Sequence, residues 1–298
     1  MMFADVPPFV FALIAAGMFA VGDQFQALGL GQVNPRAGTA ISIAASAGLF
    51  WVLAPFRLDV DHFFHPASLI FILIGLFRPA VSGNLAVLGI RYLGPTLAST
   101  LASISPLFGA ALGVLWLGEV LTLPIAAGTG GIVVAVIVLS WRGARTTDTW
   151  PIWAMFLPFG AALVRSLSHA LTKVGLQYVA DPYFAGLIGF SVSALITNGW
   201  EKFKYRAVAR AGASGVNWRQ AGPWWFAASG VCMGIAVLSL NTALLDGDIV
   251  TVVPIIASAP VFTMLLSVTV FRREHLTGRA MLALAIVLPS VIIIALSR

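Results

Sequence analysis

Charge is what this sequence has least of. Only 9% of its 298 residues are Asp, Glu, Lys or Arg, against about a quarter in a soluble domain, so the side chains that would cover a water-facing surface are missing. No water-soluble catalytic domain fits such a chain. Cysteine occurs once, at Cys232, which excludes an intrachain disulfide and any Cys-based zinc site. In its apolar surroundings Cys232 reads as a small buried hydrophobe. There is no Gly-x4-Gly-Lys-Ser/Thr loop to bind a nucleotide. Positions 8–21 are apolar but lack a basic leader and a small-residue cleavage site, so they read as a mature first span. Seventeen Lys and Arg against eleven Asp and Glu leave a net charge of +6. A nucleic-acid reader needs a folded basic surface; without one, no nucleic-acid partner is expected, and the basic residues read as topology signals.

What is present is apolar: 59% of the residues, with a mean hydropathy of +0.97. Hydropathy and breaker residues mark ten segments, about 8–28, 38–56, 66–90, 95–118, 123–141, 151–178, 182–200, 223–245, 249–271 and 277–296. At roughly 20 residues per crossing, these lengths fit transmembrane helices with short connections. The expected fold is an all-α integral membrane protein, multi-pass in a plasma or inner membrane. Turn chemistry at Asn34-Pro35, Asp181-Pro182 and Asp246-Gly247-Asp248 bounds the spans. The longest connection, 201–222, carries Glu201, Lys202, Lys204, Arg206, Arg210 and Arg219 and reads as an amphipathic segment at the membrane surface.

The two halves repeat. SISPLFGAALGVLWLGEVLT (Ser103–Thr122) parallels ASAPVFTMLLSVTVFRREHLT (Ala257–Thr277), and GLGQVNP at Gly29–Pro35 parallels GLQYVADP at Gly175–Pro182. The expected units are 1–145 and 146–298, each with five spans. Five is odd, so the second unit enters the membrane from the opposite side. Such inverted repeats place a substrate site at their interface near mid-membrane.

The duplication, the Pro in each fourth span and Gly118-Glu119-Val120-Leu121-Thr122 resemble the drug/metabolite transporter (DMT) superfamily, and within it the EamA-type members. The first span has Val21-Gly22-Asp23-Gln24 where that family often has Trp-Gly-x-Asn. The resemblance implies a secondary active transporter working by alternating access, often an exporter of amino acids or other metabolites. It implies neither ATP nor another cofactor, and no enzyme activity. The expected partners are a small-molecule substrate and the lipid bilayer, and ten spans can enclose a pathway in a monomer. A flippase or translocase for a lipid or lipid-linked substrate is the alternative, with basic loops serving an acidic head group.

An Arg or Asp at the centre of a spanning helix costs about 2.5–3.5 kcal/mol on insertion scales, so deep charges mark a wet cavity, a partner or a ligand. Arg78 lies near the middle of the third span, Arg165 near the middle of the sixth, and Asp23 deep in the first beside Gln24 and Gln26. Arg165, Ser168, His169, Thr172 and Lys173 form one helical stripe, expected to face the bundle centre. The repeat alignment sets Asp23 opposite His169. Two readings stand. Arg78 and Arg165 hold an anionic group, which a guanidinium matches in geometry, or Asp23 pairs with one of them as a structural clasp. Two central arginines exceed one aspartate, which points to a small polar substrate, anionic or zwitterionic, such as an amino acid or organic acid. Asp23 and His169 are the proton-coupling candidates.

Asn84, Ser239 and Asn241 sit in equivalent spans and either line the cavity or bond between helices. Phe19, Phe25, Phe77 and Trp116 are aromatic candidates for its walls. Pro106 and Pro260 break the ladder at equivalent depths and are the candidate hinges. Glu119 and Glu274, at span ends, read as caps or loop clasps. Asp59, Asp61, His62 and His65 share a short polar loop, and no metal site is expected there.

Twelve Lys and Arg fall on one side: Arg36, Arg91, Arg142, Arg145, Lys202, Lys204, Arg206, Arg210, Arg219, Arg272, Arg273 and Arg279. The side of the termini has three: Arg57, Lys173 and Arg298. The positive-inside rule then puts loop 201–222 in the cytoplasm and both termini outside, whereas the resemblance implies termini inside. Cysteines engineered at Thr146 and Gly212 should resist an impermeant thiol reagent added to intact cells. Labelling of both from outside reverses the orientation.

Overall fold

The computed structural model describes residues 6–82, 85, 88–89, 92–93, 101–102, 104–140, 151–209, 216–272 and 278–297. The helices are α1 (Pro8–Gly29), α2 (Pro35–Arg57), α3 (Ser68–Phe77), α4 (Ser105–Leu115), α5 (Leu123–Ser140), α6 (Phe156–Tyr178), α7 (Pro182–Ala209), α8 (Ala221–Asp246), α9 (Ile249–Ala257), α10 (Ala259–Thr269) and α11 (Gly278–Leu296). Among the described residues, six stretches are each long and apolar enough to cross a bilayer: Pro8–Gly29, Pro35–Arg57, Ile152–Tyr178, Ala221–Asp246, Ile249–Thr269 and Gly278–Leu296. The fold is the expected all-helical one, ten transmembrane helices in two inverted five-helix repeats, with α9 and α10 together forming the ninth.

The turn signals act as caps. Asn34 accepts a hydrogen bond from Arg36 N at 3.0 Å ahead of Pro35. Asp181 Oδ1 accepts from Tyr183 N and Phe184 N at 2.9 and 3.1 Å ahead of Pro182. In each pair the acceptor satisfies first-turn amides, and proline fills a position whose N–H would be orphaned anyway.

Three spans differ from their sequence outline. α7 runs to Ala209, well into the segment read as a surface connection. Glu201, Lys202, Lys204 and Arg206 are good helix formers, and no Gly or Pro intervenes there to stop the helix. The ninth span is interrupted at Ser258, whose N–H and hydroxyl both turn back to Ile255 O, at 3.1 and 2.5 Å. The interruption lies two residues ahead of Pro260, which disfavours helical backbone just before itself. The third span passes from α3 into a π-helical turn, Arg78–Ser82.

Packing follows the pseudo-twofold. α1 lies along α8, α9 and α10, while its repeat mate α6 lies along α3 and α4. α2 packs on α7 and α8, α7 on α2 and α3, and α5 on α11. Exchanging the repeats maps these pairings onto themselves. Hydrogen bonds repeat the pattern. Ser46 on α2 donates to Gly230 O on α8 at 2.6 Å, and Ser193 on α7 donates to Gly75 O on α3 at 3.0 Å. Ser46 and Ser193 hold the same position counted from Pro35 and Pro182.

Both acceptors are glycines because the helices cross there with no room for a side chain. A Cβ on Gly75 would lie 2.8 Å from Gly189 O, and one on Gly230 would run into Ser42 O. Backbone cannot give way as a flexible side-chain tip can. Gly75→Ala and Gly230→Ala should each lower stability by about 1–3 kcal/mol. A fall in the melting midpoint of detergent-solubilised protein measures this. Gly48→Ala, where an added Cβ meets nothing within 4 Å, should leave the midpoint unchanged.

Candidate functional site

Arg78 owes its placement to the residue that follows it. Pro79 has no amide hydrogen, so the carbonyl of Gly75 loses its usual helical donor, and Ser193 supplies the replacement. The helix loosens into the π turn Arg78–Ser82, where Ser82 Oγ donates back to Arg78 O. Such turns often sit at functional sites. Here the turn delivers Arg78 to the wall of a cavity of about 530 Å³.

The same cavity is lined by Asp23 from α1, Arg165 and His169 from α6, Pro106 from α4 and Pro260 from α10. Asp23 and Arg165 are exposed to it, and Arg78 is half-buried. His169 is only 4% exposed, and neither of its ring nitrogens has a hydrogen-bond partner. The deep charges that sequence singles out are therefore brought together, along with the histidine that the repeat alignment sets against Asp23.

Among the described residues, no ion pair joins Asp23 to either arginine within 4.0 Å. Asp23 Oδ2 instead accepts from the Thr263 hydroxyl of α10 at 3.3 Å. Asp23 and Arg165 thus interact at longer range and without direct contact. Two guanidiniums and one carboxylate, with His169 counted as neutral, leave one positive charge in excess on the cavity wall. Apolar side chains, among them Phe19, Ile132, Val136 and Val253, form most of the remainder.

Other candidates from the sequence go elsewhere. Gln24 is 5% exposed and donates to Thr263 O at 2.8 Å, tying α1 to α10. Ser168 is 2% exposed and donates back to Val164 O at 2.8 Å. Asn241 donates to Pro182 O at 3.1 Å and lines a separate, smaller cavity, as does Thr172. The stripe on α6 is therefore split: Arg165 and His169 face the large cavity, Thr172 the smaller one, and Lys173 the end of the bundle. Asn84 and Glu274 lie outside the described residues.

Pro106 and Pro260 each open the first turn of a second half-helix, α4 and α10. Each half-helix is fastened to the leading helix of the opposite repeat. Ser166 on α6 donates to Ser105 O at 2.8 Å, and Thr263 on α10 accepts from Gln24 of α1 at its carbonyl and donates its hydroxyl to Asp23 of α1. Thr263 is the residue that sequence reasoning misses. Nothing distinguishes it from other helical threonines until α10 is seen against α1.

Glu119 serves the scaffold. Its carboxylate oxygens accept from Ile249 N and Val250 N at 2.9 and 3.0 Å, capping α9. Lys173 Nζ lies 3.4 Å from Glu119 and donates to Gly247 O at 2.6 Å. In the polar loop, Asp59 accepts from Asp61 N at 3.1 Å, His65 Nδ1 accepts from Ala67 N at 3.1 Å, and His62 Nδ1 lies 3.3 Å from Asp181. Its side chains thus fasten the turn itself and one neighbouring loop.

Comparison with known proteins agrees with this architecture. Among the solved structures that match, one crystal structure has a TM-score of 0.76 at 16% identity, over 96% of this chain and 95% of its own, a likeness that shows the fold alone. A search of curated proteins returns no match. The model of the EamA-like transporter family matches residues 7–141 and again 152–296, once on each repeat. The chain belongs to the EamA-like transporter family and is a membrane transporter of the DMT type.

Proposed function

We propose that this protein is a secondary carrier that moves a small anionic or zwitterionic metabolite across the membrane by alternating access, with Arg78 and Arg165 holding the anionic group. The observation that carries this reading is the pair of guanidiniums on one cavity wall, with no ion-pair or hydrogen-bond partner for either side chain among the described residues. A charge buried in a membrane protein is costly unless something compensates it, and an anionic cargo would do so each time it enters. Asp23 supplies the complementary carboxylate for an ammonium group, and it or His169 would carry a coupling proton. Export is the direction that the family resemblance favours.

The two fastened half-helices suit the motion required. α4 and α10 each begin at a proline and are held by side-chain hydrogen bonds to α6 and α1. A rocking of one repeat against the other can turn at these breaks while the rest of each helix stays intact.

A hydrogen bond to a charged group contributes about 1.5–3 kcal/mol, so Arg165→Ala and Arg78→Ala should each weaken substrate binding by about 10- to 100-fold. The measurement is uptake into proteoliposomes from a panel of amino acids, organic acids and phosphorylated metabolites, with insertion and purification yield as controls. Wild-type uptake by both variants would remove the arginines from the site.

A further inference from the structure

Beside the large cavity lies a second one of about 240 Å³, lined by residues of α1, α2, α3, α6, α7 and α8. Phe19 and Arg78 line both, so the two spaces share a wall and the guanidinium stands at their boundary. By residue type the smaller cavity looks mixed, but the hydroxyl protons of its described residues are already committed. Ser42 donates to Phe226 O, Ser46 to Gly230 O and Ser193 to Gly75 O. Thr39 donates to Pro35 O and Thr172 to Ser168 O, while Asn241 Nδ2 is bonded to Pro182 O. What faces the space is mostly hydrocarbon, including Phe71, Phe190 and Val237. Among the described residues, Arg165 and His169 are uncommitted donors of the large cavity and Arg78 borders both, while the smaller cavity keeps one uncommitted carboxamide, that of Gln26.

This division of labour describes one ligand in two parts. We propose that the smaller cavity receives the apolar body of the cargo while Arg78 and Arg165 hold its anionic end, so that the substrate class is an organic anion with an apolar body, a carboxylate or sulfonate. The inference rests on the reading that the arginines bind an anion. A sugar or a compact dianion gains little from the smaller cavity, because among the described residues Gln26 and Arg78 are its few donors without a partner and most of the wall is hydrocarbon.

Gly189 gives a direct test. It lines the smaller cavity, and a Cβ added to it meets nothing within 4 Å, so a side chain placed there grows into the open space. Binding of propionate and of 3-phenylpropionate to the purified full chain in lipid nanodiscs is measured by thermal shift and calorimetry. Burying a phenyl ring should make 3-phenylpropionate bind about 10- to 100-fold more tightly than propionate to the wild type. Gly189→Leu should bring the two within about threefold of each other, by weakening 3-phenylpropionate far more than propionate. Gly189→Ala adds one methyl group and should lower the preference about threefold, which keeps the test intact if the leucine variant fails to fold. Arg165→Gln should weaken both anions alike. Equal binding of the two anions to the wild type, or a preference undiminished in Gly189→Leu and Gly189→Ala, overturns the two-part site while the arginine reading stands. Failure of both anions to bind, or binding unaffected by Arg165→Gln, overturns the arginine reading and this inference with it.

Discussion

A backbone carbonyl that loses its helical donor inside a bilayer has no water to turn to, and another protein group must take the place of the missing amide. Most of the architecture around the cavity follows from this constraint. Pro79 frees Gly75 O, and Ser193 reaches across from the other repeat to bond it. The bond fixes where α7 meets α3. The π turn that begins at Arg78 is tolerated because it is enclosed by protein on one side and opens on a cavity on the other. The feature that weakens the helix is thus the one that brings a charge to the site.

The side-chain bonds between repeats are too weak to hold the molecule together. In membrane proteins such bonds average roughly 0.6 kcal/mol. Stability comes instead from close approach at small residues: Ala12, Ala15, Ala16 and Ala20 of α1 are fully buried, and Gly75 and Gly230 admit opposing backbone. What the hydroxyls contribute is register. A serine that must meet one particular carbonyl permits one rotation and one height of its helix. Two such contacts related by the pseudo-twofold set both repeats alike.

That distinction explains how much could be read from the sequence. The spans, their duplication and the three deep charges are matters of composition and order along the chain, and all are legible there. The destination of each polar side chain depends on helix rotation, which hydropathy does not report. Successive residues on a helix point about 100° apart, so Asp23 and Gln24 cannot both face one cavity, and neither can Ser168 and His169. In each pair one member faces the large cavity while the other bonds to a carbonyl. The rotation rule alone separates the members of each pair. Which one faces inward is settled by the partners, Thr263 O for Gln24 and Val164 O for Ser168. The break at Ser258 was half visible: Pro260 announces an interruption, but its position depends on the turn that closes onto Ile255. The smaller cavity was hidden, because its polar lining looks hydrophilic until each hydroxyl is traced to its acceptor.

The repeats agree where the fold is made and disagree where the cavities are lined. Ser46 matches Ser193, Gly75 matches Gly230 and Pro106 matches Pro260, each pair placed alike in the structure. The same register sets Asp23 against His169, Arg165 against Phe19 and Arg78 against Met233, all six lining one or both cavities. Under the proposed alternating access, a symmetric backbone would let two inverted halves exchange roles. A symmetric lining, by contrast, would present the same groups from both sides and hold an asymmetric ligand in two competing orientations. Placing both guanidiniums opposite uncharged partners removes that ambiguity. On the proposed reading, the charged end of a ligand would then have one place to go, and the backbone symmetry would remain free to serve the motion.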